Sequence, residues 1–387
     1  MLADAAALRP IVAQVMAIED TTYGGADSPF AVRFRGQLTR DSADAYAHVA
    51  EYFRPQGYTP LFRQEGASHL ILAVSGVIAP APSRSWVNAL MLALTVLSML
   101  FAGGAYGYAG PVPETFGDWL GLLLGGWPFL VSMLGILGAH ELGHYFAARR
   151  HKVAVSLPYF LPFPWSPFGT LGAFIQLKAP PTNRRVLLDI GVAGPLAGFL
   201  VAVPVLLYGL LTSPLRAVLP GQVSGFEGNS VLYLALKYLV FGQVLPAPAA
   251  TDGLGYWLFM LRFWFTGRFT EAGGFDVYLN QVAWAGWAGL LVTGLNLIPA
   301  GQLDGGHALY VLIGRRASRL IPFILAILIG LGFFWSGWWL WAALIFVVGR
   351  THAEPLDQIT ELDPPRRLIA IAALILFFLV ITPIPLI

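Results

Sequence analysis

The sequence predicts a mostly α-helical, polytopic membrane protein with about seven spans, a membrane-associated β-hairpin and a small N-terminal α+β soluble domain. Composition is the first observation behind that class. Of 387 residues, 57% are hydrophobic and 11% charged, and mean hydropathy is +0.67. A soluble domain carries about 25% charged residues, so the deficit is too large for a surface that is wet throughout. The second observation is a series of apolar stretches near or past the ~18 residues that signal a span. The third is a change of texture near residue 80, before which charges are ordinary and patterns alternate.

Within residues 1–80, Phe30 to Leu38 (FAVRFRGQL) alternates as a strand does. Asp41 to Phe53 reads as an amphipathic helix, with Asp and Ser at its start and Pro55 and Gly57 past its end. Tyr58 to Gln64 and His69 to Val74 read as two more strands. Pro80, Pro82 and Ser83 form a linker, so the expected division is a cytoplasmic α+β domain over 1–80 and a membrane domain over 81–387. No basic stretch precedes an apolar core at the N-terminus, which therefore does not read as a signal peptide.

The expected spans lie near 86–108, 122–149, 185–211, 282–300, 319–334, 336–350 and 367–386. Residues 213–280 carry scattered charge and two apolar stretches, Val231–Phe241 and Tyr256–Phe265, too short to span and so expected to be interfacial or re-entrant. Pro158, Pro162, Pro164 and Pro167 break the apolar run over 153–178, and no continuous helix survives that spacing. Its flanks, Val153–Leu157 and Leu171–Leu177, are expected to pair as a hairpin. Backbone of that kind sits at membrane depth only where protein covers it or water reaches it.

Basic residues orient the spans. Arg149, Arg150 and Lys152 follow the second, Arg184 and Arg185 precede the third, and Arg315, Arg316 and Arg319 separate the fourth and fifth. Arg350 follows the sixth, and Arg366 and Arg367 precede the seventh. All five clusters share one side if the N-terminal domain is cytoplasmic and the C-terminus lies outside.

A formal net charge of +2 leaves no electrostatic footprint for nucleic acid. The chain has no Cys, which excludes disulfides, thiolate metal sites and a Cys nucleophile. A metal here must be held by His, Asp or Glu. His140-Glu141-Leu142-Gly143-His144 supplies the pattern: on a helix, i and i+4 share a face, two imidazoles at that spacing grip one Zn²⁺, and the Glu between them takes a proton from water. The motif sits in a very apolar helix, where ionisable groups are costly. The plain alternative is a polar cluster tying helices together, or the head of an ion path. Counting from Arg150 at ~1.5 Å per residue, the motif lies roughly 9–15 Å inside the basic face.

A catalytic zinc takes three protein ligands. The best candidate for the third is Asp304, in the run Asn296-Leu-Ile-Pro299-Ala-Gly-Gln-Leu303-Asp304-Gly305-Gly306-His307. Pro299 and the glycines break the helix there and let a side chain turn back. His307 is the rival ligand, with a hydrogen bond at a helix start as its structural role. Asn296 is either a donor to a reacting carbonyl or an interhelical hydrogen bond. Gly191, Gly194 and Gly198 have the small-residue spacing that lets helices approach closely, and Asp189 reads as a helix-end polar contact.

These residues resemble the site-2 protease family of intramembrane zinc metalloproteases. The resemblance rests on His140–His144, on Asn296-x-x-Pro299 with Leu303-Asp304-Gly305, and on Gly191-Val-Ala-Gly194-Pro195-Leu-Ala-Gly198 between them, and it covers about 122–312. It implies a metalloprotease core there, zinc held by His140, His144 and Asp304, Glu141 as catalytic base, and membrane-spanning regulatory proteins as substrates. The run from Phe168 to Gly198 looks closest to the bacterial, archaeal and plastid branch, and no segment reads as a PDZ domain. A bacterial plasma membrane is the expected location, with a plastid membrane as the other. The alternative from another class is a metal or proton transporter lined by His140, Glu141, His144 and Asp304. The sequence leaves substrate identity, oligomeric state and the role of the N-terminal domain open.

Overall fold

The computed structural model describes residues 7–25, 27–80, 82, 84–219, 227–248, 253–266, 273–348 and 354–386. Ser83 of the expected linker and Arg350 of the basic clusters lie outside them. Among the described residues the first elements are a short helix, α1 (Arg9–Ala13), then β1 (Met16–Tyr23), β2 (Val32–Leu38), α2 (Ser42–Phe53), β3 (Tyr58–Glu65) and β4 (Ser68–Ser75). The four strands form one antiparallel sheet in the order β1-β2-β4-β3. The Asp41 side chain caps α2 through the Ala43 N–H at 3.0 Å, and Gly57 ends the following turn at φ 84°. Val49 and Phe53 of α2 are fully buried against Val32, Phe34, Phe62 and Ile71 of the sheet. Strand β1 escaped the sequence reading because its register shifts between Ile18 and Asp20. The bulge breaks the period-two alternation that would have marked it.

Leu356, nearly 300 positions away, joins this core. The Phe62 N–H donates to the Leu356 carbonyl at 2.9 Å, and the Gln358 N–H donates back to Phe62 at 3.1 Å. On its other edge, the Asp357 N–H donates to the Thr182 carbonyl at 2.7 Å. Residues 356–358 thus bridge the N-terminal sheet to the segment leading into the long helix that starts at Arg184. The Asp357 carboxylate, 1% exposed, accepts from Ser42 Oγ at 2.9 Å and from the Ile359 and Thr360 N–H groups at 2.8 and 3.2 Å, with Thr360 Oγ1 as a further donor. Asp357→Ala leaves those donors buried and unpaired. The expected cost is about 1–3 kcal/mol, measurable as faster protease nicking between the sheet and the rest of the chain.

The remainder is built on apolar helices: α3 (Ser85–Ala105), α4 (Phe116–Gly125), α5 (Trp127–Arg150) and, after the hairpin β5 (Tyr159–Pro162) and β6 (Thr170–Phe174), α6 (Arg184–Leu211). A three-stranded sheet, β7 (Leu215–Val218), β8 (Ala247–Pro248) and β9 (Gly274–Val277), is interleaved with α7 (Val231–Phe241) and α8 (Leu254–Thr266). Then come α9 (Gln281–Asn296), α10 (Asp304–Ile313), α11 (Ile321–Leu331), α12 (Gly337–Val348) and α13 (Pro364–Val380). The main core lies between α5, α6 and α9, around Met133, Ile136, Leu206, Trp284 and Trp287.

Each of the seven expected spans contains a helix, yet the count of seven is not carried by helix length. Among the described residues, α3 and α6 alone are long and apolar enough to cross a membrane. A third span results if α4 and α5, bent by 46° at one break, are taken together. Helix α9 has 16 residues and so rises ~24 Å, short of a ~30 Å hydrocarbon layer. α11 and α12, at 11 and 12 residues, are shorter still.

The hairpin pairs Val155 with Leu177, as its flanks predict, but its ladder lies nearer the tip, joining Tyr159 to Phe174 and Phe160 to Ala173. Pro162 is accommodated by a register shift after Phe160. Asn88 of α3 anchors the base of the hairpin, donating to the Leu157 and Pro158 carbonyls at 2.9 and 3.0 Å.

Candidate metal centre

α5 sets two imidazoles on one face, one turn apart. His140 and His144 are 3% and 7% exposed, and their Nε2 atoms lie 3.1 Å apart. The third group arrives from α10. After Asn296 the chain leaves α9, turns at Pro299 and Gly301 (φ 58°), and starts α10 at Asp304. Gly305 permits that turn: a Cβ there would stand 1.9 Å from the Leu297 carbonyl oxygen. Asp304 Oδ2 then lies 3.4 Å from each Nε2.

Donor atoms of one histidine pair and one carboxylate therefore form a triangle with edges of 3.1, 3.4 and 3.4 Å. Ligands held ~2.0–2.1 Å from a tetrahedral zinc stand roughly 3.3 Å from one another, so the triangle fits that ion. The tautomer fits as well. His144 Nδ1 lies 2.7 Å from the Ile190 carbonyl oxygen of α6. A carbonyl only accepts, so Nδ1 carries the proton and the Nε2 lone pair faces the triangle.

Three glycines of α6 make the approach possible, each facing one histidine. A Cβ at Gly194 would stand 2.0 Å from His144 Nε2, one at Gly198 3.1 Å from His140 Cβ, and one at Gly191 3.0 Å from His307 Cβ. The spacing legible in the sequence thus serves ring clearance as well as helix contact.

Glu141, 3% exposed, lines the same cleft of about 200 Å³, together with Ala173, Phe174, Asn296 and His307. Ile175, at the end of the hairpin, lines the cleft beside it. Asn296 Nδ2 is 3.4 Å from His140 Nε2, beside the triangle. His307 shares the cleft, but the group of mutually close donor atoms consists of His140, His144 and Asp304. Asp189 does not reach the cleft; it pairs with Arg366 and His151. The partner missed from sequence is the Ile190 carbonyl, a backbone group that no residue type announces.

The model of peptidase family M50 matches residues 128–335, a stretch spanning α5 to α11 and all three triangle residues. The chain belongs to this family, the site-2 proteases. Similar relatives include "Probable zinc metalloprotease EGY2, chloroplastic" of Arabidopsis thaliana, 30% identical over 78% of this chain and 49% of that protein. A second is "Probable zinc metalloprotease EGY1, chloroplastic" of Oryza sativa subsp. japonica, 31% identical over 80% of this chain and 52% of that one. A third, "Probable zinc metallopeptidase EGY3, chloroplastic" of Arabidopsis thaliana, is 27% identical over 78% of this chain and 50% of its own length. The chain spans about half the length of the relatives it matches. No solved structure matches it.

Proposed function

We propose that this M50 chain is a zinc metalloendopeptidase that hydrolyses peptide bonds of membrane-spanning proteins within or near the bilayer. The observation that carries the reading is the triangle of His140, His144 and Asp304 with Glu141 in the same cleft. Family membership favours hydrolysis over the transporter alternative.

His140, His144 and Asp304 would hold the metal. When bound, zinc supplies a Lewis acid that lowers the pKa of water toward ~7 and polarises a carbonyl. The Glu141 carboxylate takes the proton of the attacking water and hands it to the leaving amide nitrogen as the C–N bond breaks. Asn296 Nδ2 donates to the carbonyl oxygen as charge builds there. A peptide bond inside a helix is shielded, so the substrate must unwind. The edge of β6 beside the cleft offers the unwound segment a strand to pair with.

The chain is read as a multi-pass membrane protein with up to seven spans, the shorter helices included. Its N-terminal sheet lies on the cytoplasmic side of a bacterial-type plasma membrane, or on the equivalent face of a plastid membrane. The shared end of α5, α6 and α13, where Arg149, Arg150, Arg185, Arg366 and Arg367 collect, supports that orientation.

The test is cleavage of single-span membrane proteins reconstituted with the wild type, with products mapped by mass. Cuts inside or at the rim of the apolar segment support the reading; cuts confined to soluble polypeptide reject it. Ala173→Pro removes one backbone N–H from β6. It is expected to slow cleavage at least about tenfold while zinc is retained, and an unchanged rate would discard strand pairing.

A further inference from the structure

His144 is held from behind by the Ile190 carbonyl at 2.7 Å, and the residue before Ile190 is held from another helix. Arg366, in the first turn of α13, donates from Nε to Asp189 Oδ1 at 2.8 Å and from Nη2 to Oδ2 at 2.7 Å. Two parallel bonds of this kind fix orientation as well as distance. His151, just past α5, lies 2.9 Å from the same Oδ2. Arg366 is in turn set by Asp363, the cap of α13, which accepts from the Arg366 N–H at 2.9 Å and pairs with its guanidinium. The same connecting segment holds the start of α6 at two more points. The Arg185 Nε donates to the Glu361 carbonyl at 2.8 Å, and the Asp357 N–H donates to Thr182.

We propose that Asp189 and Arg366 are positioning residues for the metal centre. Their bidentate pair fixes the turn of α6 that presents the Ile190 carbonyl, and that carbonyl fixes the ring of His144. The proposal rests on the reading of His144 as a metal ligand. The ordinary alternative is a plain surface ion pair, since the two side chains are 30% and 25% exposed, and such pairs add little to stability. The two roles separate by readout. A stabilising pair moves the unfolding midpoint; a positioning pair moves metal affinity.

The experiment uses the full chain in detergent and measures zinc affinity by competition with a chromophoric chelator, alongside thermal unfolding. Loss of a group that orients a metal ligand weakens affinity typically 10–100-fold. Acting one step further out, Arg366→Ala is expected to weaken zinc about tenfold. Arg366→Lys keeps the charge but not the fork, so it is expected to leave the unfolding midpoint near the wild-type value and still weaken zinc. Asp189→Asn is expected to do the same. Wild-type zinc affinity in folded Arg366→Lys and Asp189→Asn would overturn the proposal while leaving the metal site intact. A wild-type chain that binds no zinc, with His144→Ala indistinguishable from it, would overturn both.

Discussion

Glu141→Gln is expected to retain about one zinc per chain and to cleave roughly 10²–10⁴-fold more slowly, the range a positioned general base contributes. The two expectations are separable because Glu141 lines the cleft without belonging to the donor triangle. Glutamine has nearly the same shape, so the packing of a residue 3% exposed is preserved. Its amide cannot take a proton from water at neutral pH. Zinc content by elemental analysis and single-turnover cleavage, read on the same preparation, check the two halves. Cleavage at the wild-type rate would remove Glu141 from the mechanism; loss of zinc would make it part of the metal site.

Gly194→Ala is expected to be nearly as severe by a different route. A single added methyl would stand 2.0 Å from His144 Nε2 and 2.3 Å from its Cδ2. The helix backbone of α6 is packed along α5 and cannot easily retreat, so the imidazole must swing out. It then loses both the triangle and the Ile190 carbonyl. With one of three ligands displaced, zinc affinity is expected to fall at least about 100-fold, with cleavage lost in parallel. Helix content is expected to hold, since alanine is the better helix former. Gly191→Ala, which meets His307 at 3.0 Å, serves as the comparison and is expected to spare the triangle. Normal zinc binding by Gly194→Ala would contradict the close contact between α6 and the His144 ring.

Much of this architecture was legible because its signals are local. The alternation of Phe30–Leu38 and the capped, amphipathic stretch from Asp41 mark β2 and α2, which appear as read. Both halves of the triangle lie in short motifs, so their residues could be named; what brings them together is the turn at Pro299 and Gly301, visible only as a break in an apolar run. The rest was hidden for physical reasons. The bulge in β1 erased its period. The bridging segment at 356–358 pairs with partners at 62 and 182, and contacts over such separations leave no trace in local pattern. Apolar composition predicts where helices form, but not how long they stay straight: the span expected at 122–149 starts inside α4, which meets α5 at a 46° bend. Asp189 reads from sequence as a helix-end contact, but its bidentate partner Arg366 lies 177 positions away.

The central claim is that His140, His144 and Asp304 together hold zinc, and X-ray absorption at the zinc edge on the purified chain tests it most directly. The expected spectrum has about one zinc per chain and a nitrogen/oxygen shell at ~2.0–2.1 Å with the outer scattering of two imidazoles; Asp304→Ala would lose the metal or change that shell. Zinc absent from a carefully prepared wild type, or an identical spectrum from a His140→Ala, His144→Ala double variant, would contradict the claim.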